Sequence, residues 1–130
     1  MFQRLKFSRA ARQDLFDIEL RSIGMFGAEQ TVRYRRLIGQ ALEDIDVDPY
    51  RPGSKPRPDI GSNFRSYRVE LSGKRSGAGV PSSRHVVIYV ELSEDSVGVS
   101  RILHDSMVPA LHIPESHRYG DEAFLSGEEE

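Results

Sequence analysis

The chain has 130 residues, 38% of them hydrophobic and 29% charged, with a net charge of −2 and no cysteine. That length allows one domain with a modest core. The absence of cysteine excludes disulfides and thiolate metal sites. No apolar run approaches the ~18 residues a membrane span needs, and the N-terminus lacks the apolar stretch of a secretion signal, so a cytoplasmic protein is expected. The charge is segregated. Residues 1–75 carry a net +5 and residues 76–130 a net −7, of which residues 114–130 hold −5. A weakly basic body with an acidic tail results, and +3 on the body is too little to argue for nucleic acid.

Residues 4–7 form a short candidate strand. Ser8 is a suitable N-cap for a helix over about 9–22, where Ala11, Leu15, Ile18 and Ser22 share a face and Gly24 is the expected stop. A second helix is predicted over about 28–45. Its stripe of Tyr34, Leu37, Ile38, Ala41, Leu42 and Ile45 is the clearest amphipathic signal in the chain, and Arg33, Arg35, Arg36, Gln40 and Glu43 lie opposite. The short connection predicts an antiparallel helix hairpin.

Between Val47 and Asn63 the prolines and glycines mark an irregular connection of a length that is often functional. Three strands come next, at 64–71, 84–92 and 97–103. Arg65, Tyr67, Val69 and Leu71 are expected on one face of the first, and Val99, Arg101 and Leu103 on one face of the last. A Gly/Ser-rich loop, 72–83, separates the first two and carries Lys74. The expected fold is α+β in the order β-α-α-β-β-β: an N-terminal strand, an antiparallel helix hairpin, then a three-stranded antiparallel meander. Residues 1–113 are expected to form the domain and 114–130 an acidic, flexible tail.

Arg101 and His104 stand near the end of the last strand, where a charge among apolar neighbours calls for a partner. Two readings compete. One makes Arg65 and Arg101 a cationic patch for a phosphate or an acidic protein segment; the other makes them ion pairs inside the fold, with Glu70 or Asp105 as partners. His85 and His104 have acid–base capability near neutrality, but a secured acid–base pair is not evident. His104, His112, His117 and Asp105 match no compact ligand spacing, so no metal or cofactor is expected.

Several segments stand in register: Ala11, Asp14, Leu15 and Ile18; Ala28, Tyr34, Leu37 and Leu42; Pro49, Gly53, Arg57, Ile60, Gly61 and Arg65; the His85-x-x-Ile88-Tyr89 strand; and Arg101-Ile102-Leu103-His104-Asp105-Ser106-Met107 with His112. Together they resemble the RelE/ParE superfamily of bacterial toxins. The Arg-Ile-Leu-His…Met ending is more similar to the ParE branch. Met107 and Val108 stand where RelE-type ribonucleases carry a tyrosine, and Lys55 is the only lysine between the helices and the first strand of the meander.

The resemblance implies a type II toxin that inhibits DNA gyrase and is neutralised by a cognate ParD-like antitoxin in a hetero-oligomer. It does so by binding rather than by breaking bonds, with the antitoxin covering apolar surface on the sheet and the hairpin. Arg65, Tyr67, Tyr89, Arg101, His104 and Met107 are then the partner-binding candidates. The alternative is a RelE-like, ribosome-dependent mRNA interferase, an endoribonuclease using Arg65, Lys74, His85 and Arg101 on mRNA.

Overall fold

A computed structural model describes residues 2–73, 84–118 and 122–125. Strand β1 (Leu5–Ser8) leads straight into the helical run α1 (Arg9–Val47). Ser8 is the cap the sequence predicts. Its hydroxyl oxygen accepts from the Ala11 amide at 2.9 Å and its own proton goes to the Ser100 carbonyl at 2.7 Å. One side chain thus starts the helix and ties it to the sheet, a contribution of about 1 kcal/mol for the cap alone.

α1 is broken at Gly27, whose φ of 87° and ψ of 173° are non-helical. Only glycine adopts that conformation without strain. The break falls three residues beyond the expected stop at Gly24, because the left-handed φ and not the mere presence of a glycine ends the helical path. Thr31 joins the two arms. Its hydroxyl contacts the Ser22 hydroxyl at 2.9 Å and the Gly27 carbonyl at 2.8 Å. Arg35 and Glu19 pair further along, so the arms run antiparallel as predicted. Leu37, Ile38, Ala41, Leu42 and Ile45 of the predicted stripe are all buried.

The second arm ends in two buried acids that the sequence pattern does not single out. Asp46 accepts the backbone N–H groups of Gln3, Arg4 and Leu5, fastening the start of β1 to the end of α1. Asp44 accepts from Ser72 at 2.6 Å, and Ser72 in turn contacts the Tyr67 hydroxyl.

The meander forms as expected, from β3 (Phe64–Arg68), β4 (His85–Ser93) and β5 (Ser96–His104). Two-residue strands β2 (Lys55–Pro56) and β6 (Phe124–Leu125) extend it. The sheet order is β2-β3-β4-β5-β1-β6, antiparallel except where β1 runs parallel to β5. Strand β3 is shorter than predicted. Residues Val69–Ser72 turn into a 3-10 helix that buries Val69 and leaves Leu71 exposed, so the expected four-residue face stops at Tyr67.

A bulge in β5 also alters the expected faces. Tyr89 pairs with Val99 but Ile88 pairs with Arg101, which leaves Ser100 without a counterpart. The alternation shifts by one there. Val97, Val99 and Ile102 join the core under the helices, whereas Leu103 lies in a second cluster with Ile60, Phe64, Ile88, Val90, Ile113 and Phe124. Val99, Arg101 and Leu103 therefore do not share one face.

The second cluster includes residues from the segment expected as a tail. Among the described residues past Pro114, His117 and Phe124 are buried, Glu115–Arg118 form a 3-10 turn, and β6 pairs with β1. The expected boundary at 113 thus falls inside packed structure. Phe124, with Ala123 packed beside it, gives this segment an apolar contact to bury despite its acidic composition. Among the described residues no helix is long and apolar enough to cross a membrane.

Candidate partner-docking cleft

The helix hairpin covers one face of the sheet but leaves a cleft of about 750 Å³ at its Gly27 end, between both arms and the facing ends of β4 and β5. Strand pairing places His85 directly opposite His104, with their rings edge to face at 5.7 Å. From the second arm, Tyr34 reaches His85 and its hydroxyl bonds Nδ1. Burial, reinforced by His104 and Arg21, pushes the His85 pKa down to about 4. His85 is therefore neutral at pH 7, and its Nδ1 shares one hydrogen bond with the tyrosine hydroxyl.

The first arm supplies Ile18, Arg21, Ser22, Met25 and Phe26 to the cleft walls, and Arg84 stands at the rim. Among the described residues lining it none is acidic. At the rim Asp105 is gripped by Arg84 at 3.2 Å and Arg68 at 3.3 Å. Met25 and Phe26 are 66% and 63% exposed, and Leu20 and Ile23 nearby are half-exposed as well. The walls are largely apolar, Arg21 and Arg84 are the charged residues lining them, and an exposed apolar tip adjoins the opening. This arrangement suits a segment that brings both apolar side chains and carboxylates.

The predicted site residues are not brought to one place. His85 and His104 meet in this cleft. Met107, 41% exposed, lies just past the end of β5. Arg65 lies in a separate cleft of about 370 Å³ with Tyr50 and Glu91. There its guanidinium donates to Ser54 Oγ at 2.6 Å and to the Ser54 carbonyl at 3.2 Å, and it stacks over the Tyr50 ring at 4.8 Å. These contacts hold it against the connection between α1 and β3.

Tyr67 and Tyr89, expected at a partner surface, are each 1% exposed. Their hydroxyls serve the interior: Tyr67 contacts Ser72, and Tyr89 donates to the Pro49 carbonyl and contacts Ser54. On β3 and β4 they are part of the core under the helix arms, not of the exposed surface. Arg101 is an internal ion pair, and its partner is Asp14 rather than Glu70 or Asp105. Nε and Nη2 each lie 2.8 Å from the Asp14 carboxylate, and Nη1 donates to the His112 carbonyl at 2.9 Å. Asp14 also accepts the Ile102 amide, which β1 is too short to reach. Lys74 lies outside the described residues.

Tyr34, Arg21, Arg84, Met25 and Phe26 complete the cleft, and sequence reasoning misses them as site residues. Two signals point to them: a tyrosine inside an otherwise aliphatic stripe, and an apolar Met25-Phe26 pair immediately before Gly27.

A family model for the ParE toxin of type II toxin–antitoxin systems matches residues 5–109. The chain belongs to the ParE toxin family. Asp14 and the Arg101–Met107 ending both fall inside that match, so the ion pair joining α1 to β5 belongs to the ParE-like part of the chain. Among solved structures, the chromosomal ParDE toxin–antitoxin system from P. aeruginosa is similar. It shares 14% identity, covers 79% of this chain and 96% of its own, and superposes with a TM-score of 0.59. At that identity the likeness speaks to the ParE fold. No curated protein matches the chain.

Proposed function

We propose that this ParE-family chain is the toxin of a type II pair that inhibits DNA gyrase, and that an acidic, apolar segment of its ParD-like antitoxin occupies the cleft at the Gly27 end of the hairpin. The cleft itself carries the reading, with largely apolar walls, Arg21 and Arg84 among its lining, and the exposed Met25-Phe26 tip beside it. The antitoxin segment would order on binding, seat an apolar side chain against Met25 and Phe26, and pair its carboxylates with the two arginines. Positive charge on residues 1–113 would speed encounter with an acidic partner. His104 and Met107, at the β5 end, would extend the contact.

The alternative interferase needs an acid, a base and a cation meeting at one phosphate. Arg65, His85 and Arg101 are instead held by Ser54, Tyr34 and Asp14 respectively, and share none of these partners.

Inducible expression in bacteria tests the proposal. Growth arrest, loss of gyrase supercoiling in extracts and rescue by the neighbouring open reading frame are the expected results. Arrest with normal supercoiling and new cuts in mRNA at the ribosomal A site would replace gyrase by the ribosome as target. For the cleft, Arg21→Glu/Arg84→Glu should abolish co-purification of the antitoxin while the toxin stays folded. Undiminished co-purification would place the antitoxin elsewhere.

A further inference from the structure

His85 and His104 stand directly opposite one another across β4 and β5, and both line the hairpin cleft. Each has its Nδ1 engaged by the protein. His85 Nδ1 bonds the Tyr34 hydroxyl, while His104 Nδ1 contacts Ser106 Oγ at 2.7 Å and accepts the Ser106 amide at 3.2 Å. Nε2 is the ring nitrogen left to each for a ligand. Because His104 Nδ1 accepts an amide, its Nε2 carries the proton and donates.

The groups facing this pair come from every neighbouring element. The first arm brings Arg21 and Asp14, the second arm brings Tyr34, and Arg84 precedes β4. Asp105 follows β5, its Oδ1 3.5 Å from His104 Nδ1. Both acids are already engaged, Asp105 by Arg84 and Arg68 and Asp14 by Arg101. Burial, His104 and Arg21 outweigh them and keep His85 uncharged. Among the described residues, the cleft lining thus gathers two arginines and two histidines on largely apolar walls, with no carboxylate between them.

We propose that the His85–His104 pair is a carboxylate subsite, and that filling it from a segment with apolar side chains draws a proton into the cleft. The antitoxin segment supplies that carboxylate, so the partner rests on the reading above, whereas the chemistry of the subsite does not. A carboxylate beside two imidazoles favours their charged forms and opposes the burial and like charge that hold His85 neutral. The proton gained belongs to the coupled pair rather than to one ring. Tyr34 suits both states. Its hydroxyl donates to a neutral Nδ1 and accepts from a protonated one, so the ring keeps its place when Nε2–H turns into a charge-assisted donor. Binding and proton uptake are then linked, and the carboxylate is held more tightly as pH falls.

The probe is octanoate, a carboxylate on an apolar chain, with neutral octanamide as its control. The chain has four histidines, so their Cε1 proton resonances can be followed in the full-length protein between about pH 8 and pH 5.5. Saturating octanoate should move the titration of His85 and His104 up by about one pH unit and leave His112 and His117 unmoved. Octanoate should bind about fivefold more tightly at pH 6 than at pH 8, and octanamide equally at both. His85→Gln/His104→Gln should abolish the pH dependence of octanoate binding; if that variant does not fold, the wild-type resonances decide alone. Unmoved His85 and His104 resonances, or the same movement with octanamide, would overturn the proposal. The expected octanoate shifts together with undiminished antitoxin co-purification by Arg21→Glu/Arg84→Glu would uphold the carboxylate subsite and overturn only its partner.

Discussion

The two faces of this sheet are covered in opposite ways. On one face, two long helical arms pack the core under Leu37, Ala41 and Ile45, yet they leave a cleft at the end where Gly27 turns the chain. On the other face, a short irregular segment fits closely, with Phe124 only 3% exposed over Gly98. A helix covers area by a rigid stripe and leaves gaps where the stripe ends. An irregular segment conforms to the surface beneath it and leaves few gaps, but it is held locally. Extent of cover and ease of removal therefore trade against one another here.

The pair that joins the two systems offers the largest expected effect. Asp14 on α1 clamps Arg101 on β5, and Arg101 also holds the His112 carbonyl that leads into the C-terminal segment. Asp14→Ala leaves a largely buried guanidinium without its carboxylate and should cost about 3 kcal/mol in urea unfolding. Asp14→Ala/Arg101→Met should recover part of that loss. If the single substitution costs under about 1 kcal/mol, the two covers are independent.

Next is the turn of the hairpin. Gly27→Ala places a β-carbon where φ is 87° and should cost about 2 kcal/mol, with the cleft altered in shape. A thermal melt together with antitoxin affinity separates the two consequences. Unchanged values in both would show that the arms, not Gly27, set the cleft.

A pH test probes His85 at the inner end of the cleft. His85 titrates at about 4 when folded and near its ordinary 6.5 when unfolded. The unfolded state thus takes up the proton first, so the stability from neutral His85 is complete above 6.5 and is lost as pH falls toward 4. Between pH 7 and 5 this amounts to about 2 kcal/mol. His85→Gln should remove that part of the pH dependence. A parallel slope in the variant would assign the acid loss to other groups, including His117, whose pKa burial also lowers.

The smallest effect on folding is expected at the rim. Arg84 is mostly exposed in its pair with Asp105, so Arg84→Ala should change stability by less than about 0.5 kcal/mol. It should nonetheless weaken antitoxin binding and flatten its salt dependence. A large loss of stability with unchanged binding would move Arg84 from recognition to folding.

Much of the architecture was legible because it rests on local chemistry. Ser8 as a cap, the stripe from Leu37 to Ile45 and the three-stranded meander arise from side-chain type and period. The site was less legible. Arg101 and Asp14 are 87 positions apart, and nothing local pairs them. The Ser100 bulge shifts the faces of β5 without a residue that announces it. Tyr67 and Tyr89 are partner-surface candidates in the sequence yet serve the interior, and of the two readings open for Arg101 the internal ion pair is the one that forms.

By itself, then, the sequence determined the main element order, the Ser8 cap, the amphipathic stripe of the second arm and the ParE resemblance carried by short motifs at their spacings. Tertiary structure alone decided which charges are spent inside the fold, that a cleft opens where the hairpin arms meet His85 and His104, and that Phe124 folds back on Gly98. The reason is physical. Helix and strand periods are set by neighbours within a few residues. An ion pair, a cleft or a socket exists only when segments far apart in the chain meet.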